Sequence, residues 1–266
     1  FKKDKVGKMQ IINRLIQGVP LIVKDKNLTP NLQKDYSVGD LITGYGVSES
    51  VLHFYNIFGG DVKGKRVITQ GWGNVAGAAA YYLAQAGAII VGIIDKVGGL
   101  INKDGFTFEQ VKSLIEDRSG NFLEAENILP FEKVNEEIWS IGAEIFIPAA
   151  ASRLLTQTQL DTMVDNGLEV ISVGANVPFA DKEIFFGPIS KSADERVSVL
   201  PDFIANCGMA RAFSYFMQDD CQMKDIAIFT AVSDTIKSAL IKVNTINQSK
   251  TDISKTALEI ALKQLL

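Results

Sequence analysis

Polar and apolar positions along this chain fall into two rhythms that take turns. Short β-prone runs occur at 66–70, 89–94, 144–147, 169–173 and 196–200, and the run 89–94 is apolar throughout. A run of this kind predicts a strand buried on both faces, as in a parallel sheet. Between the runs, apolar residues recur at helical spacing. A helix rich in small residues is predicted over 74–86, where Gly87 stops it. Thr107 and Gln110 form a capping-box pair ahead of Val111, Leu114 and Ile115, with Gly120 closing that helix, and Thr156 with Gln159 repeats the device before Asn166-Gly167. Further helices are expected over 132–141 and 206–217. Upstream, Met9, Ile12, Leu15 and Ile16 make a lead-in helix before Gly18 and Pro20, and 48–58 reads as a helix ending at Gly59-Gly60. Residues 28–38 read as a polar connector, 98–105 as a small hairpin or turn pair, and 121–130 as irregular. The tail is helical: Ile228, Ala231, Val232, Ile236, Ala239, Leu240 and Val243 share one face, and Ile253, Ala257, Ile260, Ala261 and Leu265 share another. Strands alternating with helices imply an α/β fold with a mostly parallel sheet.

Composition narrows the partners. The formal charge is −4, and lysines and arginines are scattered rather than clustered, so no basic stripe faces a nucleic acid. The apolar runs are too short to cross a bilayer. Cys207 and Cys221 are too few and too far apart for a zinc or redox motif, and suit a reducing, cytoplasmic setting. The one histidine, His53, sits in the apolar stretch Val51-Leu52-His53-Phe54-Tyr55 and reads as a packing residue. Mechanisms that need paired histidines or a histidine-rich metal site are thereby excluded, and no metal is expected.

The most informative stretch is 65–95. A strand runs into Gly71-Trp72-Gly73-Asn74-Val75-Ala76-Gly77, then a helix, then a second strand ending at Asp95. Gly71 permits the tight turn, and Gly73 lets backbone approach a pyrophosphate at the positive end of the helix that begins at Asn74. Ala76 or Gly77 allows close helix–strand contact, and Asp95 can accept both hydroxyls of a ribose. This is the order of a dinucleotide-binding unit, and it predicts a Rossmann-like, doubly wound sheet with helices on both faces and a helical C-terminal tail. The competing readings are a structural glycine turn and a nucleoside-binding relative such as a methyltransferase. Asp95 favours NAD, whereas Lys96 beside it could serve the extra phosphate of NADP. Ala149 and Ala150 after Pro148, and Asn176 after Gly174, mark two further strand ends open to a ligand. The glycines around Tyr45 either bring backbone to a ligand or simply start a helix.

With those motifs in order, the sequence resembles the glutamate, leucine, phenylalanine and valine dehydrogenases over residues 43–216. Thr43-Gly44-Tyr45-Gly46-Val47 is similar to the family's T-G-x-G-V, and Gly71-Trp72-Gly73-Asn74-Val75 to its G-F-G-N-V. Ile147-Pro148-Ala149-Ala150, Gly174-Ala175-Asn176-Val177-Pro178 and Pro201-Asp202-Phe203-Ile204-Ala205-Asn206 resemble I-P-A-A, G-A-N-x-P and P-D-x-x-A-N. The resemblance implies a cofactor domain, with Thr43 and Asn176 near the nicotinamide, Ala149 and Ala150 along the cofactor, and Asn206 on the substrate side. It implies NAD- or NADP-dependent oxidative deamination of an L-amino acid to a 2-oxo acid, in a homo-oligomer.

The family's catalytic lysine and aspartate precede the T-G-x-G-V motif in a substrate domain, and neither is found here. No catalytic residue is assigned, and the chain alone is expected to be inactive. The division that follows is 1–40 as a lead-in from an upstream substrate domain, 41–217 as the cofactor domain and 218–266 as the tail. Met209 and Phe213 replace the glycine and serine that the family carries there, which argues against glutamate as substrate. Two alternatives remain at this point: another nicotinamide enzyme of the malic-enzyme kind, or a non-catalytic module that senses NAD.

Overall fold

The computed structural model describes residues 5–264. In chain order it has α1 (Lys5–Gly18), α2 (Val38–Phe58), β1 (Arg66–Gln70), α3 (Asn74–Gln85), β2 (Ile89–Asp95), β3 (Gly98–Phe106), α4 (Phe108–Asp117) and α5 (Phe131–Glu137). After a 3₁₀ turn at Ile138–Ser140 come β4 (Ile145–Pro148), α6 (Gln157–Asp165), β5 (Val170–Ser172), α7 (Pro188–Arg196), β6 (Ser198–Leu200), α8 (Asp202–Ala205), α9 (Gly208–Phe216), α10 (Asp225–Ile246) and α11 (Ile253–Lys263). Leu265 lies outside the described residues.

One six-stranded sheet carries the order β3-β2-β1-β4-β5-β6. All neighbours pair in parallel except β2 and β3. This is the Rossmann-like arrangement expected. The alternation of the pleat explains why adjacent strand positions are both apolar. Val67, Ile90, Ile145, Val170 and Leu200 face a core shared with α2, α3 and α10. Their neighbours Ile68, Val91, Phe146, Ile171 and Val199 face the other layer, with Val134, Ile138, Leu160 and Ala193. Each of these five strands therefore buries both faces. The tail helix α10 belongs to the first core, through Ile228, Val232, Ile236 and Leu240.

Several elements differ from expectation. The segment 98–105 is not a separate hairpin but lies in strand β3, antiparallel to β2. Gly98 has φ +128, and Gly99 exchanges both backbone hydrogen bonds with Leu129 at 3.0 and 2.9 Å. A methyl group on Gly98 would lie 2.7 Å from Ile128 Cγ2. These glycines therefore mark close backbone approach within a sheet rather than a turn. Helix α2 begins ten residues before Ser48, because Ser37 and Asp40 form a capping box, with the Ser37 amide 2.9 Å from Asp40 Oδ2.

The glycine pair of the T-G-x-G-V motif thus lies within a helix. A methyl on Gly44 would sit 2.6 Å from Ala78 Cβ in α3, and one on Gly46 would sit 3.0 Å from the Ala205 carbonyl. The two glycines let α2 be clasped on opposite sides. Residues 196–200 are not one strand: Arg196 ends α7, a helix not foreseen, whose first amides at Ile189 and Ser190 are capped by Asp181 at 2.9 Å each. The helix expected over 206–217 is α9, which the separate short helix α8 precedes; Gly208 at its start passes against α2, where a methyl would lie 2.7 Å from Thr43 Cα.

Candidate functional site

Gly71 leaves β1 with φ +97 and donates its amide to Ile94 O at 2.7 Å, which ties the turn to the end of β2. A side chain there would also meet Ala149 O at 2.9 Å and Ala150 Cα at 3.0 Å, so glycine is required on two counts. Gly73 is the N-cap of α3 and has no side chain to bond the first amides of that helix, which leaves them open to a ligand's oxygens. Trp72 between them is fully buried and donates through Nε1 to Leu114 O at 2.9 Å, so it anchors the turn from below. Gly77 does not face a strand as expected: its nearest neighbours are Ile115 and Arg118, so it serves the contact of α3 with the C-terminal part of α4.

A cleft of about 530 Å³ opens over the carboxyl ends of β1, β2 and β4 and is lined by Gln70 to Gly73, Asp95, Lys96 and Ala149 to Ala151. The strand order reverses between β1 and β4, and that crevice is where open α/β sheets take their ligands. Asp95 is 8% exposed and accepts the Leu123 amide through Oδ2 at 2.9 Å, so one carboxylate oxygen is pinned by protein. Lys96 stands 3.8 Å above the Phe122 ring, a cation–π contact. Both residues at the end of β2 are therefore set by one loop, 121–123. The cleft also recruits Asn121, Phe131, Asn135 and Leu154, which sequence reading did not single out, and Gln159, which it read only as a capping residue. They come from two loops and from α5 and α6, and only the tertiary fold joins them.

The remaining predicted site residues gather beside the cleft rather than in it. Asn206 Nδ2 donates to Asn176 Oδ1 at 3.3 Å, and Ser152 Oγ donates to Asn176 O at 2.5 Å. Thr43, in α2, lies against Gly208 two residues beyond Asn206. Asn74 donates to Asp40 Oδ1 at 3.3 Å, and so binds α3 to the start of α2. Val75 closes the inner end: a methyl on Gly174 would lie 3.0 Å from Val75 Cγ1 and 2.7 Å from Ala149 Cβ.

Other reactive groups are committed elsewhere. His53 Nε2 lies 2.8 Å from Ser233 Oγ and 3.3 Å from Glu49 Oε2, between α2 and α10. A hydrolytic relay places acid and hydroxyl on opposite ring nitrogens, and here both meet the same one. Burial raises the Cys207 thiol to about 11, which suppresses its thiolate. A groove of about 550 Å³ between α9, α10 and α11 contains none of the predicted site residues. Among the described residues no His, Cys, Asp or Glu side chains gather as a metal site, and no helix is long and apolar enough to cross a membrane.

A sequence model of the Glutamate/Leucine/Phenylalanine/Valine dehydrogenases matches residues 38–266. The chain belongs to that family. The match begins where α2 begins, so all five motifs of the family fall within it. Among curated relatives, the NADP-specific glutamate dehydrogenase of Saccharolobus shibatae is 31% identical over 173 residues, which cover 62% of this chain and 37% of that protein. The hetero-hexameric glutamate dehydrogenase of Thermus thermophilus matches in structure with a TM-score of 0.65 at 20% identity, over 88% of this chain and 53% of that one. L-tryptophan dehydrogenase of Nostoc punctiforme matches with a TM-score of 0.56 at 19% identity, over 84% and 59%. The chain thus spans less than two-thirds of the length of each of these proteins, and at such identities the solved structures speak for the fold.

Proposed function

We propose that this chain is the NAD-binding part of an amino-acid dehydrogenase, which oxidatively deaminates an L-amino acid to a 2-oxo acid and ammonia in a reversible reaction. The observation that carries the reading is the cleft itself. A bare helix N-terminus behind Gly71 and Gly73 stands beside the buried Asp95 carboxylate, and together they fit a pyrophosphate and a ribose. The bound nicotinamide supplies the hydride acceptor. Asp95 would hold the ribose hydroxyls, since the Leu123 amide occupies only its Oδ2. Its negative charge at that place favours NAD over the 2′-phosphorylated NADP.

Asn176 and Thr43 are assigned to the nicotinamide side, and Asn206 to the substrate side. The Asn176–Asn206 hydrogen bond supports this, because it leaves Asn176 Nδ2 as a donor for an amide or carboxylate oxygen. The groups that polarise the carbonyl and move the proton are assigned to a substrate domain outside this chain, and the complete enzyme to an oligomer. The 41% exposed Phe213 and its neighbour Met209 on α9 point to an apolar or aromatic amino acid rather than glutamate.

The purified chain, given NAD or NADP and a panel of amino acids, is expected to produce no reduced cofactor. Turnover by the chain alone would overturn the placement of the catalytic groups. A complete enzyme that uses glutamate best would overturn the substrate assignment.

A further inference from the structure

The cleft wall formed by α5 and α6 carries an amide whose orientation the protein dictates. Asn135 Oδ1 accepts from Trp139 Nε1 at 3.2 Å and from Gln159 Nε2 at 3.3 Å. An indole nitrogen can only donate, so the Trp139 contact alone identifies which end of the Asn135 amide is oxygen. Gln159 is fixed as well, because its Oε1 accepts the Thr156 amide at 2.9 Å in the α6 capping box, which turns its Nε2 toward Asn135. Both anchors hold the Asn135 oxygen. Its Nδ2 has no partner among the described residues, on a side chain that lines the cleft.

The surroundings select what that donor meets. Phe131 and Leu154, each 41% exposed, line the same cleft and offer apolar surface. A phosphate would be poorly placed against them, and the phosphate and ribose already have their own partners at Gly71–Gly73 and Asp95. A flat heteroaromatic ring with unprotonated nitrogens fits both the apolar surfaces and the donor.

We infer that Asn135 is a specificity residue for the purine base, donating through Nδ2 to a ring nitrogen of adenine. The inference rests on the nucleotide reading of the cleft and deepens it. Sequence reasoning had no route to it, since three separate elements, α5, the 3₁₀ turn and α6, combine to set one amide.

The test is calorimetric binding of AMP and of its 1-deaza, 3-deaza and 7-deaza analogues to the wild-type chain and to Asn135→Asp. The variant keeps an oxygen for Trp139 and Gln159 and replaces only the donor, so its melting temperature serves as the check on folding. One deaza analogue should bind the wild type about fivefold more weakly than AMP, the scale of one hydrogen bond. In Asn135→Asp that discrimination should vanish or invert. Ribose 5-phosphate measures the effect of the added charge on the phosphate end alone, and AMP should lose more than it does. If Asn135→Asp does not fold, Asn135→Ser carries the same comparison. Equal wild-type binding of all three analogues and AMP, or unchanged discrimination in the variant, overturns the inference and leaves the nucleotide reading standing. A wild-type chain that binds neither AMP nor NAD overturns both.

Discussion

Asn206 and Asn176 meet through a 3.3 Å hydrogen bond, although thirty positions separate them and they follow different strands. The bond joins the loop after β5 to the end of α8, so the two motifs act as one polar corner beside the cleft. Removing it should separate binding from chemistry. In the complete enzyme, Asn206→Ala is expected to lower kcat about tenfold, on the scale of a hydrogen bond to a reacting group, while NAD affinity of the chain stays within about twofold. Equal losses in both would place Asn206 in cofactor binding instead.

Two glycines of the family motifs are expected to fail in different ways. Gly44→Ala puts a methyl into the α2–α3 crossing, against Ala78 and the backbone of Val75 and Ala79, and should destabilise the fold by about 1–3 kcal/mol in urea denaturation. Gly73→Ala meets only the Asn121 side chain at 3.5 Å and has φ −78, so it should fold normally. Its methyl stands over the open helix end, and NAD binding should weaken by about 1 kcal/mol, one hydrogen bond's worth. A stable Gly44→Ala would show that the helices can slide apart without cost.

Those glycines also show what the sequence could reveal. Capping boxes are local: Thr107 with Gln110 and Thr156 with Gln159 are closed as expected, with backbone-to-glutamine distances of 2.8 and 2.9 Å. The limits of β1 were legible for the same reason, since the glycine turn at Gly71 follows Gln70 directly. The role of Gly44 was not, because it depends on which helix crosses α2. Gly98 and Gly99 read as a turn, yet their freedom is used to pair a strand with β2 and Leu129. Helix α7 had one local signal, Pro188 at its first turn, but its capping acid Asp181 lies seven residues ahead. At the site, Gly71, Gly73, Asp95, Lys96, Ala149 and Ala150 were found from motif order, whereas Asn121, Asn135 and Gln159 converge only through packing.

Asp194 gives a pH dependence with a definite sign. Burial raises its carboxyl to about 6, although the amides of Lys255 and Ser254 both donate to it and cap α11. The unfolded value is about 3.9, so between about pH 4 and 6 the folded chain holds the proton more tightly. The contribution is fully present below pH 4 and is lost as pH rises to 6. Relative to Asp194→Asn, which stays neutral, wild-type unfolding free energy should fall by about 1–3 kcal/mol across that window and then level off. Urea denaturation of both proteins at several pH values measures it. A wild-type stability that rises with pH relative to Asp194→Asn would contradict the assignment.

NAD in the cleft over β1, β2 and β4, with Asp95 on its ribose, underlies the proposed function. Calorimetric titration of the chain with NAD, beside Asp95→Ala, tests it most directly. One site per chain is expected, weakened by about 1–2 kcal/mol in the variant as hydrogen bonds to the ribose are lost, with NADP weaker than NAD in the wild type. No NAD binding by the folded chain, or binding that Asp95→Ala leaves unchanged, would contradict it.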